Sequence, residues 1–509
     1  MKGAILVCGT HSDAGKSVVA AGICRWLASR GVRVAPFKAQ NMALNSVVTP
    51  GGAEIGRSQA VQAAAARVVP EAAMNPVLIK PSGVRHSQVV VMGTPYTDAD
   101  ARSYQALKGE LRPIVAEALA DLRSRYDVVV CEGAGSPAEI NLRDADLTNM
   151  WLAREAGLAT VIVADIDRGG VFASLYGTVA LLHAADQAHV AGYIINKFRG
   201  DASILAPGLE MLERRTGRPT LGVLPYAEDL WLDVEDSLAL DGRPETPPAH
   251  EGADTLEVAV VRLRWMSNFT DADALSAEPG VRVRFTRSPA DVRRADLVIL
   301  PGTKATLEDL ERLRADGLDR ALRARARAGD PILGVCGGYQ MLGERIEDEV
   351  ESGRGVADGL ALLPVTTRFE PDKLLRRRRG RSPWAGTSAS GYEIRHGRVA
   401  RHGGADVLRD DSGEPDGCVS GAVLGTAWHG VLEDDAFRRG VLKWAAGLRG
   451  RSYVAGDMSF AALREARLDA LGALVAGHLD LDRLGDLIVS GPPADLAVID
   501  PEVLTCSAS

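Results

Sequence analysis

The sequence lacks the closely spaced cysteines that build a disulfide framework or a structural zinc site. Its 509 residues include six cysteines, which are widely scattered and form no CxxC pair. Both kinds of cross-link depend on such spacing. The scattered cysteines therefore indicate a protein of a reducing compartment. We therefore expect a cytoplasmic protein.

Long apolar runs and an excess of positive charge are also absent. No stretch approaches the ~18 apolar residues that a membrane-spanning helix requires, and the apolar run at residues 4–8 ends at once in a glycine loop. The formal net charge of −8 argues against a general nucleic-acid binder. We expect neither a membrane nor a nucleic acid among the partners.

The length and composition of the chain predict several domains. A chain of 509 residues exceeds the roughly 150 residues of a typical domain. Residues 241–255 are rich in proline, glycine and charge and have no periodicity, as is typical of a linker. We predict one domain at 1–240, a second domain at 256–445 and a tail at 446–509 with helical periodicity.

The first domain opens on a glycine loop with the features of a phosphate site. A strand-like run leads into GTHSDAGKS at residues 9–17, and a helical pattern follows. In this context backbone N–H groups cradle phosphates, Lys16 contacts the terminal phosphates and the Ser17 hydroxyl can bind Mg²⁺. Five residues separate Gly9 from Gly15 instead of the usual four, so we predict a variant P-loop that binds ATP.

Later strands of this domain end in polar side chains. Glu132 ends one apolar run, and Asn196 ends another. A carboxylate that faces the P-loop across a parallel sheet can bind Mg²⁺, and we expect Asn196 to contact a base edge. Buried strands that alternate with helices predict a doubly wound, mostly parallel α/β sheet with its site at the carboxyl edge. We predict the same fold class for the second domain.

For two groups of polar residues, the sequence pattern indicates a function less specifically. Arg57 and Gln59 lie on an alanine-rich helical segment, where they either line a site or form a solvated face. The basic cluster at residues 376–379 has no interleaved aromatic residues, so we interpret it as a solvated loop.

A cysteine in the second half stands at a sharp turn. Residues 331–335 have the pattern of a buried strand, 339–342 of a starting helix, and glycines flank Cys336 on both sides. Such a turn exposes a nucleophile at the sheet edge, and the helix N-terminus favours a thiolate. A buried structural cysteine would not explain the flanking glycines, so we predict a nucleophile.

A thiolate nucleophile requires a base, and the chain has nine histidines. His429 has the best context because it ends a strand-like run and precedes a glycine, and His396 is the second candidate. Imidazole is suited to proton transfer near neutral pH. The turn at Pro301 and Gly302 can direct a backbone N–H group at an oxyanion. We predict His429 as the base.

The first domain resembles the dethiobiotin-synthetase-like branch of P-loop enzymes. It shares the GT-x5-GK[ST] pattern and the EGAG segment at residues 132–135. The segments FKAQNM at 37–42 and NKFRGD at 196–201 are similar to those of the cobyric acid synthase family. His11 replaces the second lysine of partition and nitrogenase-type ATPases, which weakens that alternative.

The second domain resembles the class I glutamine amidotransferases in the segment GVCGGYQ at 334–340. GYEIRHG at 391–397 and LPGTK at 300–304 are similar to the cobyric acid synthase version. Many class I domains have a glutamate two residues after the histidine, where this chain has Val431. Glu433 stays unassigned, and the resemblance is to the cobyric and cobyrinic acid branch, in which this third member is missing.

The resemblance covers nearly the whole chain and implies an amide ligase of cobalamin biosynthesis. Members of the family use ATP, Mg²⁺ and glutamine to convert adenosylcobyrinic acid a,c-diamide, a corrinoid, into adenosylcobyric acid. The resemblance implies Cys336 and His429 as the catalytic pair for ammonia release. Lys16, Ser17 and Glu132 would stabilise the transferring phosphoryl group.

Three alternatives remain open at this point. Cobyrinic acid a,c-diamide synthase shares both domains, although FKAQNM and NKFRGD favour the cobyric acid pattern. CTP synthase has a similar architecture, but the missing His-x-Glu pattern argues against it. A P-loop switch protein that binds DNA or a membrane partner through a degenerate amidase domain is the non-enzymatic alternative.

Overall fold

The computed structural model describes residues 1–83, 86–227 and 248–499. Residues 241–247 of the predicted linker and the last ten residues of the predicted tail lie outside these ranges. Within the described parts of the chain, every helix is too short or too polar to cross a bilayer.

The first half is built on a parallel sheet, as predicted. Its central strands are runs of valine, isoleucine and small residues that are buried on both faces, which is typical of parallel sheets covered by helices. Six strands lie in the order β12-β11-β10-β1-β9-β2. The strands of this half are β1 (Gly3–Gly9), β2 (Val34–Phe37), β3 (Gln40–Met42), β4 (Ser46–Val48), β5 (Glu54–Gly56), β6 (Val77–Pro81), β7 (Ser87–Val91), β8 (Thr94–Ala99), β9 (Val128–Glu132), β10 (Ala159–Asp165), β11 (Val190–Phe198) and β12 (Thr220–Pro225).

Helices cover both faces of this sheet, and two small sheets are added to it. The small sheets, β3-β6-β7-β8 and the β4-β5 hairpin, were not predicted from the sequence because their strands are short and follow no clear alternation. The helices are α1 (Lys16–Ser29), α2 (Arg57–Ala65), α3 (Ala101–Arg125), α4 (Met150–Ala156), α5 (Val171–Ala180), α6 (Ala184–Gln187) and α7 (Ala206–Thr216).

The second half contains another α/β sheet. Its strands have the order β14-β13-β15-β16-β24-β23, and only β23 runs antiparallel to its neighbour. The elements are β13 (Leu256–Val261), β14 (Val281–Thr286), α8 (Pro289–Arg294), β15 (Leu297–Leu300), α9 (Thr306–Ala315), α10 (Leu318–Ala328), β16 (Ile332–Val335), α11 (Gly337–Leu342), β17 (Arg345–Asp348), β18 (Gly355–Asp358), β19 (Val365–Ser382), β20 (Thr387–Arg401), β21 (Leu408–Asp410), β22 (Pro415–Asp416), β23 (Cys418–Ser420), β24 (Val423–Thr426) and α12 (Asp435–Leu448).

The basic cluster at residues 376–379 lies in the long strand β19, so the loop prediction is wrong. β19 pairs with β20 in an antiparallel ribbon, and alternate side chains therefore point to opposite faces. Arg378 is buried and forms ion pairs with Glu393 at 2.6 Å and with Asp410. These ion-pair partners could not be predicted from the sequence because they are distant in the chain.

The tail is helical, as predicted, and it forms part of the core of the first half. Helices α13 (Phe460–His478) and α14 (Leu481–Ser490) follow α12. Leu471 and Val475 are buried in the core that surrounds α1. Arg25 of α1 is 1% exposed and binds Glu465 at 2.5 Å and Asp469 at 2.8 Å. The tail therefore stabilises the helix that follows the P-loop.

Replacement of Leu471 by alanine should destabilise the protein by about 2–5 kcal/mol, because the substitution leaves a cavity in a packed core. Urea unfolding followed by circular dichroism would measure the change. Val489→Ala on α14 is the control, since Val489 is 55% exposed and should change the unfolding free energy by less than about 0.5 kcal/mol. Equal effects of the two substitutions would contradict the packing of the tail.

Candidate functional site

The predicted P-loop lies at the carboxyl end of the central strand β1 and leads into α1. Gly15 has a φ of 105°, which favours glycine. A Cβ atom at this position would lie 2.0 Å from the Asn196 side-chain nitrogen, so the close approach also requires glycine. Asn196 donates a hydrogen bond to the Ala14 carbonyl at 3.1 Å. Its side chain thus braces the loop, and its contact with a base edge stays a prediction.

Lys16 extends over the loop. Its ammonium donates hydrogen bonds to the carbonyls of His11 and Gly135, both at 3.0 Å. The residue is 7% exposed, and its charge lies where a nucleotide's phosphates meet a P-loop. The EGAG segment therefore contacts the loop lysine directly.

Glu132 ends β9, the strand next to β1, and is fully buried. Its carboxylate accepts hydrogen bonds from Ser17 at 2.8 Å, from Lys38 at 2.9 Å and from Gln62. Burial by itself would raise the pKa of Glu132, but the Lys38 ammonium and the two hydrogen-bond donors hold it below its usual value. The group is therefore an anion at neutral pH.

Ser17 and Glu132 have the donor set that Mg²⁺ requires. Nucleotide sites hold this ion with one or two protein oxygens, substrate phosphates and water. The hydroxyl and the carboxylate are 2.8 Å apart, which fits such a site. In the described residues, no group of three or more histidine, cysteine or acidic side chains could hold a metal ion.

These residues line one cavity of about 920 Å³. Its size is near the upper end of the ~300–1,000 Å³ that small-molecule sites usually occupy. The predicted nucleotide and metal residues of the first half all contribute to its wall: Gly15, Lys16, Ser17, Glu132 and Asn196.

The second candidate site lies at the carboxyl edge of three adjacent strands. β15, β16 and β24 are neighbours in the sheet and lead to Gly302, Cys336 and His429. Cys336 has a φ of 48° and a ψ of −108°, a conformation that is unfavourable for a residue other than glycine. Its N–H group donates to the Thr426 carbonyl at 2.8 Å. The sheet therefore holds the cysteine in the strained turn that a nucleophile elbow requires.

His429 contacts Cys336 directly and is 1% exposed. The Tyr392 ring stacks on the imidazole with 5.8 Å between ring centroids. Burial alone would lower the pKa of His429, but the charges of Cys336 and Asp271 raise it to about 10. This raised pKa favours an imidazolium next to the sulfur atom.

Asp271 is the third member of this cluster, and the sequence analysis did not identify it. It lies on the 3₁₀ helix Phe269–Ala277, and its carboxylate contacts His429 Nδ1 at 2.7 Å and accepts a hydrogen bond from Gly430 at 2.7 Å. Since 158 residues separate the pair, no local pattern could have revealed it. The expectation of a missing third member is therefore wrong for this chain.

Glu433 and His396 are held by partners outside this cluster. Glu433 pairs with Arg57 at 2.5 Å and with Arg464 at 3.0 Å. His396 lines the same small cavity as Cys336, but its Nδ1 atom contacts the Glu370 carbonyl at 3.0 Å. Burial lowers the pKa of His396, so this residue is neutral at neutral pH.

The turn at Gly302 lies beside the cysteine and the histidine. A Cβ atom at Gly302 would lie 2.6 Å from His429 Cε1, and one at Gly337 would lie 3.0 Å from the Thr303 backbone nitrogen. The turns after β15 and β16 are therefore in close contact. This arrangement brings backbone N–H groups to the region where an oxyanion would form.

The first half contacts the second site through the β4-β5 hairpin. The Ser46 N–H group donates to Asn268 at 2.9 Å, and the Phe269 N–H group donates to Asn45 at 3.1 Å. Both bonds hold the segment that leads to Asp271.

The solvated-face alternative for Arg57 and Gln59 is wrong, because both side chains are buried.

Comparisons with known proteins match each half of the chain to a family of domains. Residues 5–239 match the CobQ/CobB/MinD/ParA nucleotide binding domain, and residues 257–437 match the CobB/CobQ-like glutamine amidotransferase domain. The cobyric acid synthase of Frankia casuarinae is 57% identical over 98% of this chain and 99% of its own. The cobyric acid synthase of Rhodococcus jostii is 56% identical over 98% of each chain. A glutamine amidotransferase crystal structure aligns with 37% of this chain and 98% of its own, at 21% identity and a TM-score of 0.31.

Replacement of Asp271 by asparagine should lower the pKa of His429 from about 10, because the neutral amide no longer stabilises the imidazolium. NMR titration of protein with ¹³C-labelled histidine would measure the shift, and His429→Gln would assign the resonance. His396 is the internal control, since its surroundings do not include Asp271. An unchanged His429 titration would contradict the electrostatic role of Asp271.

Proposed function

The chain belongs to the cobyric acid synthase family, and we propose that it amidates side-chain carboxylates of a corrinoid with ATP and glutamine. The reaction converts adenosylcobyrinic acid a,c-diamide into adenosylcobyric acid. The observation that carries the proposal is the presence, in one chain, of a P-loop next to a buried carboxylate and of a strained cysteine next to an imidazolium. We propose residues 1–240 as the synthase domain and residues 256–445 as the amidotransferase domain, in the cytoplasm.

The amidotransferase site releases ammonia from glutamine. The Cys336 thiolate attacks the side-chain amide to form a glutamyl thioester, and His429 gives its proton to the leaving ammonia. Water then attacks the thioester and is deprotonated by His429. Asp271 orients the ring and stabilises the imidazolium, as the third member of a catalytic triad does. The N–H group of Gly337 follows the nucleophile and is suited to stabilise the oxyanion.

The synthase site converts a carboxylate into an electrophile. A carboxylate is a poor acceptor for ammonia, so the γ-phosphoryl group of ATP is transferred to it and an acyl phosphate forms. Ammonia then displaces phosphate and leaves an amide. Lys16 and the loop N–H groups stabilise the negative charge of the phosphoryl group during the transfer.

Ser17 and Glu132 would hold Mg²⁺ in this domain. The ion, when bound, neutralises charge on the phosphates. Lys38 lies 2.9 Å from Glu132 and keeps the carboxylate ionised before any ion binds. Asn196 supports Gly15, and we propose that its side chain also contacts the nucleotide.

The nearest alternative is cobyrinic acid a,c-diamide synthase, which has the same two activities on other carboxylates. The full-length identity to cobyric acid synthases supports our choice of substrate. Purified protein given cobyrinic acid and its a,c-diamide in separate assays should consume the a,c-diamide, as followed by chromatography of the corrinoids. Exclusive use of cobyrinic acid would contradict the proposal.

Replacement of Cys336 by serine should reduce glutamine-dependent amidation by roughly 10³-fold or more, because the thiolate nucleophile is lost. Activity with added ammonium salt should persist, since the synthase site is unchanged. Lys16→Ala is the matched comparison and should abolish both activities. Loss of both activities in the serine variant would indicate a structural role for Cys336, and ammonia-dependent activity in the alanine variant would refute the P-loop assignment.

A further inference from the structure

Helix α3 carries a lysine on the face that it buries. Leu111, Val115 and Leu122 on this face are fully or almost fully buried, as the helical period predicts for a stripe that faces a core. Lys108 continues the stripe and is only 9% exposed. Lysine is seldom found so deeply buried unless an anion neutralises it.

No carboxylate of the described residues forms a direct ion pair with Lys108. Its ammonium has no hydrogen-bond partner there either, and it lies over the Tyr104 ring, 5.5 Å from the ring centroid. Burial lowers the pKa of Lys108 and Arg112 lowers it further, while the through-space charges of Asp146 and Glu139 raise it in part. Because burial of a cation without a direct ion pair is costly, this position favours the binding of an anion.

Lys108 lines the 920 Å³ cavity that also contains the P-loop. The three other lysines of this cavity already bind groups of the protein: Lys16 binds carbonyls of the phosphate loop, Lys38 binds Glu132 and Lys197 binds Asp165. The Tyr104 hydroxyl, next to Lys108, donates to Gln40 at 2.6 Å, which holds the aromatic ring in place. Lys108 is thus available for the reactant that the phosphate loop does not bind.

We propose that Lys108 binds a side-chain carboxylate of the corrinoid substrate. This inference rests on the proposed function and adds to it a residue that recognises the substrate. The ammonium forms an ion pair with the carboxylate, while the corresponding amide carries no charge and forms at most a neutral-acceptor hydrogen bond. Lys108 therefore favours carboxylate substrate over amide product, which promotes release of each amidated group.

The test compares binding of substrate and product to Lys108→Met, which keeps most of the length of the side chain and removes its charge. Equilibrium dialysis should show adenosylcobyrinic acid a,c-diamide bound roughly 10–100-fold more weakly than by the wild type, as expected for a lost charged hydrogen bond. Binding of adenosylcobyric acid should change less than about threefold. Lys108→Arg should restore part of the affinity for the substrate.

Two controls separate binding from folding. Lys443→Met removes a charge from an exposed position on α12 and should leave both affinities unchanged. The thermal unfolding midpoint of Lys108→Met should stay the same or rise, because a costly buried charge is removed.

The inference is overturned if substrate and product weaken equally, which would indicate a structural role. It is also overturned if substrate affinity is unchanged, or if the KM for ATP rises instead, which would assign Lys108 to the phosphates. Wild-type protein that binds neither corrinoid would refute the proposed function itself, and the inference with it.

Discussion

The carboxyl ends of adjacent parallel strands meet at one edge of a sheet, and both active sites of this protein depend on that constraint. In the first half, β1 and β9 bring Ser17 and Glu132 within 2.8 Å. In the second half, β15, β16 and β24 bring together Gly302, Cys336 and His429. Each of these residues ends or follows a buried strand that cannot shift without loss of core packing. The same rule therefore forms both candidate sites.

Contacts between the two halves of the chain add residues to both sites beyond the edges of the two sheets. Helix α2 begins at Arg57, which pairs with Glu433 two residues beyond Val431, and it carries Gln62, which donates to Glu132. The hairpin before this helix binds the segment that leads to Asp271. One short stretch of the first half thus contacts the Glu132 carboxylate and supports the segment that carries Asp271. A chain arranged in this way can keep ammonia production close to ammonia use.

Local patterns were sufficient to predict the two main parallel sheets, the P-loop and the elbow at Cys336. These features depend on the order of strand, glycine turn and helix over fewer than about twenty residues, so the sequence records them directly. Asp271 could not be predicted, since its partner is 158 residues away. The burial of Arg378 was not predicted for a related reason. A charged side chain favours exposure to solvent, whereas acidic residues that are distant in the chain neutralise this one. Lys108 lies on an otherwise apolar face of its helix, and only the structure shows that it lines a cavity.

We propose that two sites in this one chain carry out a single amide-forming reaction. The most direct test supplies the protein with ATP, adenosylcobyrinic acid a,c-diamide and glutamine labelled with ¹⁵N at the side-chain amide, and analyses the corrinoid product by mass spectrometry. The account predicts one ¹⁵N atom for each new amide, because the ammonia released at Cys336 reaches the acyl phosphate in the synthase site. A corrinoid that gains no label while glutamine is hydrolysed would contradict it.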